Sequence, residues 1–168
     1  MRIKDIAMIG MMSALLFAVQ VALGFLPNIE LVSLLIILFT LNFRWKTLYI
    51  IYIFALLEGF MYGFGIWWFY YLYIWTILFF ITLFFSKNRS SFFWAVVSGV
   101  FGICFGALCA ISYLFLGGLQ TAIGYWVSGI PFDIAHGIGN FVIALVLFRP
   151  LNNLLDFIIN RTFHSNSN

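Results

Sequence analysis

The sequence predicts an all-α integral membrane protein, a compact bundle of six transmembrane helices with both termini cytoplasmic. Three observations carry that expectation. The 168-residue chain is 65% hydrophobic and 8% charged, whereas a soluble domain has about 25% charged residues to cover its wet surface. Its eight Lys and Arg fall in four clusters: Arg2 with Lys4, Arg44 with Lys46, Lys87 with Arg89, and Arg149 with Arg161. The intervals between clusters are almost continuously apolar, each long enough to cross a bilayer and return. Basic loops stay cytoplasmic during insertion, so four clusters joined by three hairpins give six crossings. The formal charge of +3 is therefore a topology signal spread in pairs. It forms no basic run for nucleic acid.

The first span is expected from about Ile6 to Phe25, stopped by Pro27 and Asn28. It is too long for the roughly 7–15-residue core of a signal peptide. Span 2, about Ile29 to Phe43, is short for a hydrocarbon core of ~30 Å at ~1.5 Å per residue. The loop before it is expected to fold inward. Span 3 runs from about Thr47 to Phe64 and span 4 from Ile66 to Phe85, the latter heavily aromatic. The polar stretch from Ser86 to Ser91 is the clearest break. Span 5, about Phe92 to Leu116, ends at Gly117 and Gly118. Span 6 is placed from Pro131, since proline suits a first turn, to just before Pro150. That leaves Leu119 to Ile130 as an outer loop or short helix. Residues 1–161 then form one six-helix membrane domain, and 162–168 a polar, disordered tail. A membrane barrel would need alternating segments of about ten residues, and these runs are longer and unbroken.

Two stripes of small residues repeat every fourth position. Gly10, Ala14, Ala18 and Ala22 lie in span 1; Ser98, Gly102, Gly106 and Ala110 lie in span 5. Small residues let helices approach closely where lipid supplies no hydrophobic driving force. For span 5 packing within the molecule is favoured. For span 1, internal packing and an external partner helix are both open. Cys104 and Cys109, five apart on a helix, face different ways and read as small apolar residues.

Of the five acids, Asp5 and Asp156 lie near the basic clusters. Glu30, Glu58 and Asp133 fall where no Lys or Arg can pair with them, and ionisable groups inside a membrane are costly and usually functional. Glu30 and Asp133 have a plainer reading at helix N-termini, and Glu58, about 16 Å along span 3 by the helical rise, could be a neutral carboxyl bonded to a neighbouring helix. Asp133, His136 and Asn140 share one helix face and favour a polar-lined cavity over packing. They make no specific metal signature. Trp67, Trp68, Tyr70, Tyr71, Tyr73, Trp75, Tyr125 and Trp126 suit an interfacial belt, and with the acids they would also suit a flat or cationic small molecule. No phosphate-binding loop, zinc-hydrolase pair or nucleophile elbow is present in the sequence.

The small-residue stripe of span 1, the segment from Pro27 to Val32, and the Gly129-to-Asn140 segment resemble substrate-binding S-components of energy-coupling factor (ECF) transporters. The resemblance covers nearly the whole chain. It implies a non-enzymatic subunit of the prokaryotic plasma membrane that captures a micronutrient outside, with no cofactor of its own. A transmembrane coupling protein and two ATPase subunits would drive release inside. It implies a pocket near the outer face from Asn28, Glu30, Trp67, Trp68, Tyr71, Trp126, Asp133, His136 and Asn140, to which Glu58 is added on physical grounds. It also implies docking of the coupling protein along Gly10, Ala14, Ala18 and Ala22. The nickel and cobalt branch is disfavoured, because the chain's two histidines are His136 and His164. Thiamine-like cations, flavins, queuosine precursors, tryptophan and cobalamin stay open as substrates. Two other classes are open: an intramembrane enzyme using Asp133, His136 and Glu58, and an assembly or scaffold protein whose polar stripe merely bonds helices together.

Overall fold

The computed structural model describes residues 3–26 and 28–163, and among these every regular element is helical. Five continuous elements follow in order: α1 (Ile3–Leu23), α2 (Val32–Phe43), α3 (Lys46–Tyr62), α4 (Ile66–Phe84) and α5 (Ser91–Phe163). Helices α1, α4 and α5 are long and apolar enough to cross a membrane, as expected of a membrane protein. The first four helices fall where the hydrophobic runs place them.

Helix α5 is one element in name and two in space. At Gly118 the backbone turns to φ 75° and ψ −176°, a left-handed region that glycine enters without steric cost. The chain reverses there. Residues 91–117 form a first arm and 119–163 a second, and the arms pack antiparallel. Trp94 stacks on Phe148 at 6.3 Å between ring centroids, and Tyr113 stacks on Tyr125 at 4.2 Å. Between those levels, a Cβ added to Gly102 would lie 2.8 Å from the Gly137 Cα. The stripe of Ser98, Gly102, Gly106 and Ala110 is buried along this seam.

The second arm corrects three sequence expectations. Residues 119–130 are helical, one of the two forms expected of them, but they run without a break into residues 131–163 and form no separate short helix. Pro131 lies inside the helix and does not open it, and Pro150 does not end it. Proline is tolerated in apolar helices because neighbours and local adjustment re-satisfy the freed carbonyls. The helix runs to Phe163, two residues past the expected boundary of the tail; residues 164–168, like Met1, Arg2 and Pro27, lie outside the described residues.

Helix α2 is the centre of the bundle. Ten consecutive residues, Val32 to Leu41, are buried, as expected for a helix apolar on every side. Its 12 residues extend about 18 Å, against about 31 Å for the 21 residues of α1. Neighbouring helices therefore rise past its N-terminal end and leave room above it. Helix α1 packs on α3 through Asp5, Met8, Ile9, Met12, Ser13 and Leu16, with the Ser13 hydroxyl 3.2 Å from the Ile50 carbonyl. Gly10, Ala14, Ala18 and Ala22 are all exposed on the opposite face.

The described basic groups gather at one end of the bundle. Lys46 Nζ donates to Asp5 Oδ1 at 2.9 Å, joining the start of α3 to the start of α1. Arg44 Nη1 donates to Ser86 Oγ at 3.0 Å. Arg89 and Arg149 border a common cleft with Asn42 and Asn152.

Candidate functional site

At the end away from these cations, the space above α2 is a cavity of about 540 Å³. The end of α1 supplies Gln20 and Leu23, the loop between α1 and α2 supplies Asn28 and Glu30, α4 supplies Tyr70, Tyr71 and Trp75, and both arms of the α5 hairpin complete the wall. Its volume lies within the roughly 300–1,000 Å³ of small-molecule sites.

Glu30 precedes α2 and accepts a hydrogen bond from the Ser33 backbone N–H at 2.8 Å through Oε2. It thereby satisfies one of the donors left open at a helix N-terminus. Its Oε1 lies 3.4 Å from His136 Nε2. Burial favours the neutral carboxyl, but the hydrogen bond and charge of His136, with the Ser33 contacts, outweigh it and hold Glu30 below its ordinary range. One turn of helix away, Asp133 accepts a hydrogen bond from the Gly106 backbone N–H at 2.9 Å through Oδ1. A Cβ at position 106 would collide with that carboxylate, so glycine is what lets Asp133 approach the first arm. Phe105 places its ring edge-on to His136, 5.0 Å between centroids.

Five of the sequence-nominated residues line this cavity: Asn28, Glu30, Tyr71, Asp133 and His136. The other five lie elsewhere. Asn140 is buried one turn beyond His136, where its Nδ2 donates to Ser33 Oγ at 3.3 Å and ties the second arm to α2. Trp67 packs edge-on against Tyr71 from behind, at 5.3 Å. Trp68 donates from Nε1 to the Ala55 carbonyl at 2.8 Å and so ties α4 to α3. Trp126 borders a shallow groove on another face of the hairpin with Ala107 and Leu114. Glu58 is buried within α3, outside the cavity lining.

Sequence reasoning passed over Gln20, Phe105, Cys109, Ser128 and Phe132 as site residues and gave Tyr70 and Tyr125 only a general aromatic role. Tyr125, Ser128, Phe132 and His136 succeed one another at helical spacing, and Phe105 and Cys109 are four apart. Reading 119–130 as a helix in phase with the rest would have found the first set. Trp75, one turn along α4 from Tyr71, was nominated for the interfacial belt and instead lines the cavity. Among the described residues no group of His, Cys, Asp and Glu has a geometry suited to a metal ion.

Comparison with protein-family models, curated proteins and solved structures finds no match for this chain.

Proposed function

We propose that the chain is the membrane-embedded capture subunit of an ECF-type importer, taking up a vitamin or related micronutrient at the outer face for transport driven by partner ATPases. In this reading six helices span the prokaryotic plasma membrane with both termini cytoplasmic, and the two arms of α5 count as two spans. The observation that carries it is the position of the cavity: it lies opposite the gathered basic groups, and that opposite end faces outward if cations mark the cytoplasm. A pocket for capture belongs there. The exposed stripe of Gly10, Ala14, Ala18 and Ala22 adds support, since it offers a coupling helix a face that permits close approach. The enzyme reading has less to stand on, because Glu58 is not in the cavity with Asp133 and His136.

The test is uptake of the small molecule that co-purifies with the protein, measured in cells with and without the coupling protein and ATPases. Uptake is expected to vanish when the partners are removed. Transport by this chain alone, or conversion of the bound molecule into another, would overturn the proposal.

A further inference from the structure

We propose that the cleft at the basic end of the bundle binds the headgroup of an anionic phospholipid, its phosphate held by Arg89 and Arg149. The inference goes beyond the importer reading and does not depend on what the opposite cavity holds. It takes from that reading only the orientation, with this end at the cytoplasmic leaflet.

Three elements meet at this cleft. The end of α2 brings Asn42, the break before α5 brings Arg89, and the second arm brings Arg149, Asn152 and Asp156. The last three follow at i, i+3 and i+7 and so share one helix face. Asp156 is the natural counter-ion of the arginines, yet it pairs with neither. Its Oδ2 accepts from Asn152 Nδ2 at 3.0 Å, and Asn152 Oδ1 accepts in turn from Asn42 Nδ2 at 3.3 Å. Asn42 Nδ2 also donates to the Leu38 carbonyl at 2.8 Å, which ties this chain of amides to the buried helix. Among the described residues neither Arg89 nor Arg149 has a hydrogen bond or an ion pair. Arg44 and Lys46, the basic pair of the preceding break, are both engaged, with Ser86 and Asp5. Two uncommitted guanidiniums therefore border one cleft of about 560 Å³. Their planar forks match the oxygens of a phosphate.

Charge and surroundings choose the ligand. Two guanidiniums and one carboxylate leave the cleft a formal charge of +1. A headgroup with one net negative charge, phosphatidylglycerol, balances that, and a zwitterionic headgroup does not. Its glycerol hydroxyls can donate to Asp156 Oδ1, which has no partner among the described residues. The apolar surroundings favour a lipid over a free phosphate ester. Phe148 lines the cleft, Phe141 lies two turns toward the membrane centre on the same face, and the exposed Phe92 packs edge-on against Phe141 at 6.2 Å. Acyl chains gain from covering this surface; a free phosphate ester gains nothing. Basic pockets between spanning helices at the cytoplasmic side are where acidic headgroups bind.

The experiment titrates the delipidated full chain in detergent with phosphatidylglycerol or phosphatidylcholine of the same acyl chains, and resolves each lipid adduct by native mass spectrometry. The wild type is expected to take one phosphatidylglycerol at least about tenfold more tightly than phosphatidylcholine. Arg89→Gln and Arg149→Gln are each expected to cut phosphatidylglycerol affinity about fivefold or more and leave phosphatidylcholine unchanged. Lys87→Gln is the control, since it removes the same charge two residues from Arg89 without bordering the cleft. Its phosphatidylglycerol affinity should stay within about twofold of wild type, as a screened surface charge allows. Equal binding of the two lipids by the wild type, or a loss in Lys87→Gln as large as in Arg89→Gln, overturns the site and leaves only general surface attraction. Thermal midpoints show which variants are folded. Where Arg149→Gln is not, Arg149→Lys keeps the charge without the fork, and an unchanged lipid preference there overturns the Arg149 half. Glycerophosphoglycerol, the same headgroup without chains, separates the two sources of phosphate. It is expected to leave the lipid adduct in place; displacement at the concentration where the lipid itself binds would assign the cleft to a free phosphate ester and overturn the lipid.

Discussion

The two small-residue stripes look alike in the sequence and have opposite fates in the fold. Ser98, Gly102, Gly106 and Ala110 are buried in the seam of the α5 hairpin, against Gly137 and Asp133. Gly10, Ala14, Ala18 and Ala22 lie on the exposed face of α1, and a Cβ added at Gly10 would meet nothing within 4 Å. The difference comes from what lies opposite each stripe. The α5 stripe meets a second helix that carries its own glycine and an acid in register. The α1 helix instead turns its larger residues, Met8, Met12 and Leu16 among them, toward α3. A repeat of small residues therefore signals close approach without saying whose helix approaches. The buried stripe builds the site, and the exposed one is free to meet a partner.

Substitutions along the two stripes should separate these roles. The largest effect is expected from Gly102→Leu. Even a methyl there meets the backbone of residues 136 and 137, so the hairpin must part and the cavity wall with it. Overpacking of this kind costs about 3 kcal/mol, which should appear as a lower thermal midpoint in lipid nanodiscs together with loss of the co-purified ligand. A normal midpoint would show that the seam is looser than the close approach of Gly102 to Gly137 requires.

Gly106→Ala should be milder for stability and sharper for binding. Its methyl displaces the Asp133 carboxylate and weakens the hydrogen bond from the 106 amide, for a loss of about 2 kcal/mol and a fall in ligand affinity of at least about tenfold. If stability falls while affinity holds, Asp133 is a packing residue.

Glu30→Gln keeps a side-chain oxygen for the Ser33 amide but loses the charge beside His136. The variant should melt earlier by about 1 kcal/mol. The sign with pH comes from the lowered Glu30 carboxyl. Its contribution is present above the unfolded-state value, near 4.5, and is lost as pH falls through the folded one. Wild type and variant should therefore converge in acid. A constant gap between the two melting curves down through that range would refute the pairing.

Ala18→Leu should have the smallest effect on the isolated protein, within about 0.5 kcal/mol of wild type and with unaltered ligand affinity. Assembly with a coupling protein, followed by co-purification, should weaken. Reduced affinity with intact assembly would place the α1 stripe in internal packing after all.

Much of this architecture was legible in the sequence because apolar run length and basic breaks are strong signals. The brevity of α2 was legible as well, and with it the inward loop that carries Asn28 and Glu30. The second arm was not. Proline suits a first turn, and opening span 6 at Pro131 left 119–130 as a loop or a separate short helix although the helix is continuous through Gly124, Gly129 and Pro131. The error moved the site. In a loop Trp126 is as good a candidate as Tyr125, but on a helix neighbours point about 100° apart, and Tyr125 is the one in the cavity. Trp67 and Trp68 were misplaced for a related reason: aromatic density in α4 does not say which turn faces inward, and it is Tyr71 and Trp75 that do. Asn140 shares the stripe of Asp133 and His136, yet the stripe extends beyond the cavity, and its last member meets Ser33.

The central claim is that the cavity above α2 captures a small molecule through Asp133. Native mass spectrometry of the full chain released from nanodiscs tests it most directly, comparing wild type with Asp133→Asn prepared from the same cells. The expected result is a one-to-one adduct of a small molecule on the wild type, lost or much reduced in the variant. An adduct of the same mass and occupancy on both proteins, or no adduct on either, would contradict it.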